Sequence, residues 1–413
     1  MPAEQATDAR AKRAAGARAA AAGASCPSVT REVARRAIDA KTKPLGALGR
    51  IEDAAVRLAV LQRTLAPGVE KARVCVFAAD HGIAEEGVSA YPRSVTAEML
   101  RNFDRGGAAI NAIARANRVE VEVVDVGVDA APTALDALAH VRDAKVRRGC
   151  RNFLREAAMS ESELATALAA GEAAARRAHV AGVAALGLGE MGIGNSTAAA
   201  ALLSVLTGRR AEATTGRGTG VDDAGLARKR AVVDRALELH LAPSQGSARE
   251  ALRRVGGLEL AAIAGAAARA AALRVAVIAD GFISTVAILC AAMMAAQEDA
   301  ELLSALSTAV FFSHRSAEHG HARALEACGA VFGEEVRPLL DLEMRLGEGT
   351  GAALAIPILR SAAAVLGEMA TFESAGISAG EHAAEHTAEH TGERITEHVA
   401  EHTTHHPAAP PAS

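Results

Sequence analysis

Arg345-Leu346-Gly347-Glu348-Gly349-Thr350-Gly351 sets one carboxylate between two glycines, after the apolar stretch 338–344 and before an Ala-rich helical run. Glycines admit positive φ and a close approach of backbone to ligand. A glutamate held there can turn into a cleft and serve as a general base. The same segment also reads as a helix C-terminus carrying a solvated acid.

A second group, Gly187-Leu188-Gly189-Glu190-Met191-Gly192-Ile193-Gly194-Asn195-Ser196-Thr197, follows an apolar run and opens a helix. Successive backbone N–H groups, with the hydroxyls of Ser196 and Thr197, can cradle a phosphate at a helix N-terminus. The G-x-G-x-x-G at 187–192 fits a dinucleotide poorly. Glu190 would face the pyrophosphate, and no second strand ends in an acid roughly 20 residues on. A mononucleotide phosphate on residues 192–197 fits better, with a plain strand-to-helix turn as the alternative. Thr215-Gly216-Arg217-Gly218-Thr219-Gly220 is a second glycine-rich loop, followed by Asp222, Asp223 and a helix with Arg228, Lys229 and Arg230. Lys229 faces either a ligand or solvent.

Asp80-His81-Gly82 pairs a carboxylate with an imidazole, which invites a metal. No other histidine lies at ligand spacing, so orienting the loop is the competing role. Neither G-x-S-x-G nor G-x-x-x-x-G-K-[ST] occurs, which removes the main support for a hydrolase triad or a P-loop NTPase.

Short apolar runs at 74–80, 119–128, 183–189, 274–280 and 309–313 must carry these residues, and helical stretches at 160–179, 198–206, 224–241 and 258–272 separate them. Parallel strands need crossovers, so the pattern predicts an α/β fold: a doubly wound, mostly parallel, Rossmann-like sheet covered on both faces. Ligands bind beyond the carboxyl ends of such strands. The polar residues there are Asp80-His81-Gly82, Asp125, Gly189-Glu190, Asp280-Gly281 and Ser313-His314. The apolar window 275–296 contains Asp280, Gly281, Ser284 and Thr285, so it reads as strand, turn and buried helix and not as a membrane span.

The chain has 413 residues, enough for one large domain or two. Its apolar half is Ala, Val and Leu, with eight Phe, one Tyr and no Trp, so helices can pack closely but base-stacking platforms are lacking. A net charge of −4 gives no global attraction for nucleic acid. Five scattered cysteines, without a C-x-x-C pair, fit a reduced compartment. The first 25 residues lack the apolar region of a secretory signal, so the cytoplasm is expected. Residues 1–26 are a low-complexity extension, and 378–413 form a His/Glu-rich tail read as disordered. Spacing of four in that tail would put His382, His386 and His390 about 40° apart around a helix, which makes them candidate metal ligands.

Seven ordered motifs, KPLGALGRIE (43–52), DHGIAEEGVSAYPRSVT (80–96), GLGEMGIGNST (187–197), VGGLELAAIAG (255–265), ADGFISTVA (279–287), SHRSAEHG (313–320) and RLGEGTGAALA (345–355), are similar to those of the nicotinate-nucleotide–dimethylbenzimidazole phosphoribosyltransferase family. The resemblance covers roughly 30–377 and implies a homodimer. Each chain would hold an α/β nucleotide-binding domain (71–344) and a smaller helical domain from 27–70 plus 345–377. It implies Glu348 as general base, Glu190 as a second active-site carboxylate and Lys229 as the active-site lysine. Gly192, Ile193, Gly194, Asn195, Ser196 and Thr197 would bind the substrate phosphate, with Gly218, Asp280, Gly281 and Ser313 on the ribose-phosphate side. Tyr91, Met99, Met191 and Leu346, with Asp80, would line the pocket for the base. Nicotinate mononucleotide and a benzimidazole-type base are the implied substrates, with no cofactor, no metal in the core, no nucleic acid and no membrane. A dinucleotide-dependent oxidoreductase, and a metal-storage module built on the tail, are the other functional classes.

Overall fold

A computed structural model describes residues 29–131 and 138–378. Six strands form one parallel sheet: β1 (Ala72–Ala79), β2 (Glu120–Gly127), β3 (Val141–Asp143), β4 (Ala185–Met191), β5 (Ala276–Ala279) and β6 (Val310–Phe312). Their order is β3-β2-β1-β4-β5-β6, so the direction of winding reverses between β1 and β4. The crevice above that reversal is where a doubly wound sheet binds ligands. β1, β4 and β5 are buried almost throughout, which is why they read as unbroken apolar runs and not as alternating ones.

Ten of the helices matter here: α1 (Arg31–Asp39), α2 (Arg50–Gln62), α3 (Ser94–Asp104), α4 (Ala109–Ala116), α5 (Glu161–Val180), α6 (Asn195–Thr207), α7 (Asp223–Ser244), α8 (Leu258–Ala272), α9 (Phe282–Glu298) and α10 (Thr350–Glu368). Local chemistry marks several of their starts. Ser160 and Glu163 form a capping box on α5, and Asp222 accepts the Gly225 N–H to cap α7. The Ala-rich composition is explained where α5 crosses α8. A side chain at Gly171 would collide with the backbone of Ala262, and one at Gly265 with that of Leu168. The small residues let the two backbones nearly touch, and bulky side chains would push the layers apart.

α10 packs against α1 and α2 and also rests on β4 and β5. The amino- and carboxy-terminal helices therefore share one apolar core with the sheet. α10 is long and apolar enough to cross a membrane by composition, yet more than half of it is buried among these neighbours. Edge strand β3 and the two-residue pair β7 (His314–Arg315) and β8 (Leu340–Asp341) are absent from the sequence reading. Segments this short carry no periodicity to read. The two termini, with the tail histidines His382, His386 and His390, lie outside the described residues.

Candidate active site

Gly347, Glu348 and Gly349 have φ of 87°, 61° and 81°, three left-handed residues in succession just before α10. The glycines are required by space as well as by angle. A side chain at Gly347 would collide with the Glu190 carboxylate, and one at Gly349 with Val74. Gly189 of β4 lets the turn lie flat on the sheet, because a Cβ there would enter the Gly349 backbone. Glu348 alone bears a side chain in this conformation, which costs about 1–3 kcal/mol and marks the position as over-determined by its surroundings.

Asp280, just beyond β5, holds the turn in place. Its Oδ1 accepts from the N–H groups of Gly351 (2.6 Å) and Ala352 (3.1 Å), and its Oδ2 from Gly349 (3.1 Å). Those are first-turn amides of α10, which have no partner within the helix. Ser313 braces the arrangement by donating to the Asp280 carbonyl. The Glu348 carboxylate is 7 % exposed and accepts weakly from the Ile110 N–H at 3.4 Å, in the first turn of α4. Burial raises its pKa above the ordinary value.

Glu190, at the end of β4, completes a group of three carboxylates. Burial, followed by the charges of Asp280, Glu259 and Glu348, holds Glu190 well above the usual carboxylate range, against a hydrogen bond donated by Asn195. Burial likewise pushes Asp280 up to about 7, although three backbone amides favour its charge. One side of the cleft is therefore deficient in positive charge and suits a cationic ligand. At the other pole, residues from the first turn of α6 face Gly218, and Lys229 Nζ donates to Ser196 Oγ at 2.9 Å. Burial lowers Lys229 to about 8, with Glu318 opposing that shift. Lys229 beside the N-terminus of α6 makes this pole suited to an anion. Between the poles lies a cleft of about 490 Å³. Its apolar wall includes Val95, Met99 and Met191, and Tyr91 (55 % exposed) and Leu346 (57 %) stand at its mouth.

The structure brings together most of the residues expected from sequence. Glu190, Glu348, Gly192, Ile193, Asn195, Ser196, Gly218, Asp280, Gly281, Tyr91, Met99, Met191 and Leu346 all line this cleft. Lys229 stands behind Ser196. Gly194 (φ 98°) starts α6 against His81, and Thr197 is fully buried in its first turn. Ser313 reaches the Asp280 backbone and not the cleft. Asp80 also departs from its expected place. It is buried, accepts from Thr96 Oγ1 (2.7 Å) and the Asp129 N–H (2.8 Å), and does not line the cleft. Thr96 in turn accepts from the Ile193 N–H at 3.1 Å, so Asp80 supports the 192–197 loop from beneath. His81 is fully buried and paired with Glu259 at 2.7 Å. Burial alone would lower its imidazole, but Glu259 and Cys150 beside it hold it well above its usual value. That pair orients the loop, and among the described residues no three His, Cys, Asp or Glu side chains are grouped to hold a metal.

Of His314, Ser316, Glu318 and Arg345, which also line the cleft, only His314 was among the strand-end candidates of the sequence reading. The first three lie in the quoted motif 313–320, whose pairing with β8 and closeness to Gly218 depend on long-range packing.

Comparison with known proteins adds three findings. A family model described as Phosphoribosyltransferase matches residues 26–377. The nicotinate-nucleotide–dimethylbenzimidazole phosphoribosyltransferase of Cupriavidus necator is 48 % identical over 342 residues, 83 % of this chain and 93 % of the relative. Its namesake from Pseudomonas aeruginosa is 47 % identical over 352 residues, 85 % of this chain and 95 % of the relative. Among solved structures, CobT from Thermus thermophilus superposes with a TM-score of 0.77 at 45 % identity, covering 86 % of this chain and all of the other.

Proposed function

The chain belongs to the nicotinate-nucleotide–dimethylbenzimidazole phosphoribosyltransferase family, and on that premise we propose how its cleft performs the transfer. The enzyme moves the phosphoribosyl group of nicotinate mononucleotide to 5,6-dimethylbenzimidazole or a related base, in assembly of the cobalamin lower ligand. An unprotonated ring nitrogen of the base attacks the anomeric carbon, the bond from that carbon to nicotinate breaks, and the α-nucleotide forms. The proton on the other nitrogen of the base passes to Glu348. Nicotinate departs from a pyridinium, already a good leaving group, so the protein's task is to align the substrates and remove one proton.

The polarity of the cleft supports this reading. Its amide-and-lysine pole suits the substrate phosphate. Its carboxylate pole suits the positive charge of the pyridinium and of the ribose as the bond breaks. The wall of Met99, Met191 and Leu346 suits a flat apolar base. The single observation that carries the assignment is Glu348, buried, raised in basicity and fixed in a left-handed turn facing this cleft. We take the active unit to be a cytoplasmic homodimer, as the family resemblance implies. Incubation with nicotinate mononucleotide and a panel of bases, following free nicotinate and the new nucleotide, tests the reading. Nicotinate should appear one-for-one with α-nucleotide, and release of nicotinate without a nucleotide would make the protein a hydrolase instead.

A further inference from the structure

Behind the turn at Gly216 and Gly218 lies a second cavity, of about 240 Å³, whose lining includes Thr215, Arg217, Arg230, His319 and Arg345. Glu318 stands in the wall that it shares with the cleft. Two polar atoms of its lining residues have no hydrogen-bond partner among the described residues: the hydroxyl of Thr215, which is fully buried, and Nε of Arg230. Arg230 also forms no ion pair among the described residues. Arg217 is held by Asp223 and donates to the Val221 carbonyl at 2.9 Å. Arg345 spans the gap to the Gly218 carbonyl at 2.8 Å. Glu318, the one carboxylate in the lining, is turned toward the Gly218 N–H, at 3.2 and 3.3 Å. Three arginines thus line a small space, and a single external carboxylate, Asp223, is paired with one of them.

Buried donors without partners are costly, and two of them belong to residues that line this one cavity. Every unmet group here can donate a hydrogen bond. Planar guanidinium forks and a hydroxyl suit the oxygens of a tetrahedral oxyanion. We propose that this cavity is an oxyanion site, separate from the substrate-phosphate pole, that takes inorganic phosphate or the phosphate group of a small monoester. Its occupant contacts Arg345, which lies three residues before Glu348 and already holds Gly218. The bound anion therefore braces both lips of the cleft without competing for the cleft itself.

Calorimetric titration of the full chain with inorganic phosphate tests this, with the cleft first saturated by the α-nucleotide product. One phosphate should bind per chain, less tightly as salt rises. Arg230→Gln and the near-isosteric Thr215→Val should each weaken it about tenfold or more, as loss of a charge-assisted or buried donor implies. Lys229→Met, titrated without product, should retain this one site, which makes the result independent of what occupies the cleft. A parallel titration with ribose 5-phosphate separates the two sources: displacement of phosphate assigns the site to monoesters, and none assigns it to the free ion. If the saturated enzyme takes up no phosphate, water alone satisfies these donors and the proposal fails. Binding of wild-type strength in both Arg230→Gln and Thr215→Val also overturns it.

Discussion

Burial raises the basicity of Glu348, and the turn that buries it costs backbone strain, so the proposed base depends on its neighbours as much as on its own chemistry. Glu348→Gln keeps the shape of the side chain and removes the base. Turnover should fall by about 10²–10⁴, the usual scale for a general base, with thermal stability nearly unchanged. Steady-state kinetics and a melting curve read both, and a variant within a few-fold of wild type would show that the proton leaves elsewhere. The pH profile gives an independent check. Glu348 works only when ionised, so kcat/KM should fall as pH drops through its raised pKa. The acid limb should therefore lie above the ordinary carboxylate value, and a limb at or below that value would contradict the burial argument. Glu348 was legible in the sequence because glycines flank it on both sides. Asp80 was misplaced because its position at a strand end is legible, but the direction of its side chain toward Thr96 is not. Glu259 was missed as the partner of His81 because the two lie 178 residues apart.

At the scale of elements, strand β5 and helix α10 meet at Asp280, and that contact aims the turn that carries Glu348. Alternating apolar runs and helical stretches made most strands and helices readable, but no local signal says that a carboxylate after β5 caps a helix starting about 70 residues later. Asp280→Asn keeps one acceptor for three amides and removes the charge. It should lower kcat more than it raises KM, because the turn loosens while both substrate poles stay intact. Asp280 also links folding to pH. Its pKa is about 7 in the folded chain against an ordinary 3.8, so the folded state holds the proton more tightly. Its contribution to stability is then greatest below about pH 4 and declines as pH rises toward 7. Urea unfolding of wild type across that window should show this decline, and Asp280→Asn should flatten it. Parallel curves for the two proteins would mean that Asp280 titrates at its ordinary value. Gly194→Val is a poor probe of phosphate binding, because φ of 98° and contact with His81 make any side chain there disruptive in the empty protein.

Over the whole molecule, the reversal of strand order places three glycine-rich segments, 187–197, 215–220 and 345–351, around one cleft, and the family match ends at residue 377. The packing closes at nearly the same point. Lys41 Nζ donates to the Met369 carbonyl at 2.8 Å, the Thr42 N–H to that of Ala370 at 3.1 Å, and Lys41 bridges Thr371. The carboxy-terminal chain is thus tied back to the end of α1 before the His/Glu-rich segment begins. That segment has too few apolar residues to bury and too regular a histidine spacing to ignore. A form comprising residues 1–379 should therefore fold and turn over within about twofold of the full chain, as expected for loss of a terminal segment. Cobalt calorimetry on both forms should show uptake only where His382, His386 and His390 are present. Imidazole binds nickel and zinc as readily, so the same difference should appear with those ions. Equal uptake by the two forms would place the metal ligands upstream of residue 379. A large loss of turnover on truncation would instead show that residues beyond the α1 clasp contribute to the cleft.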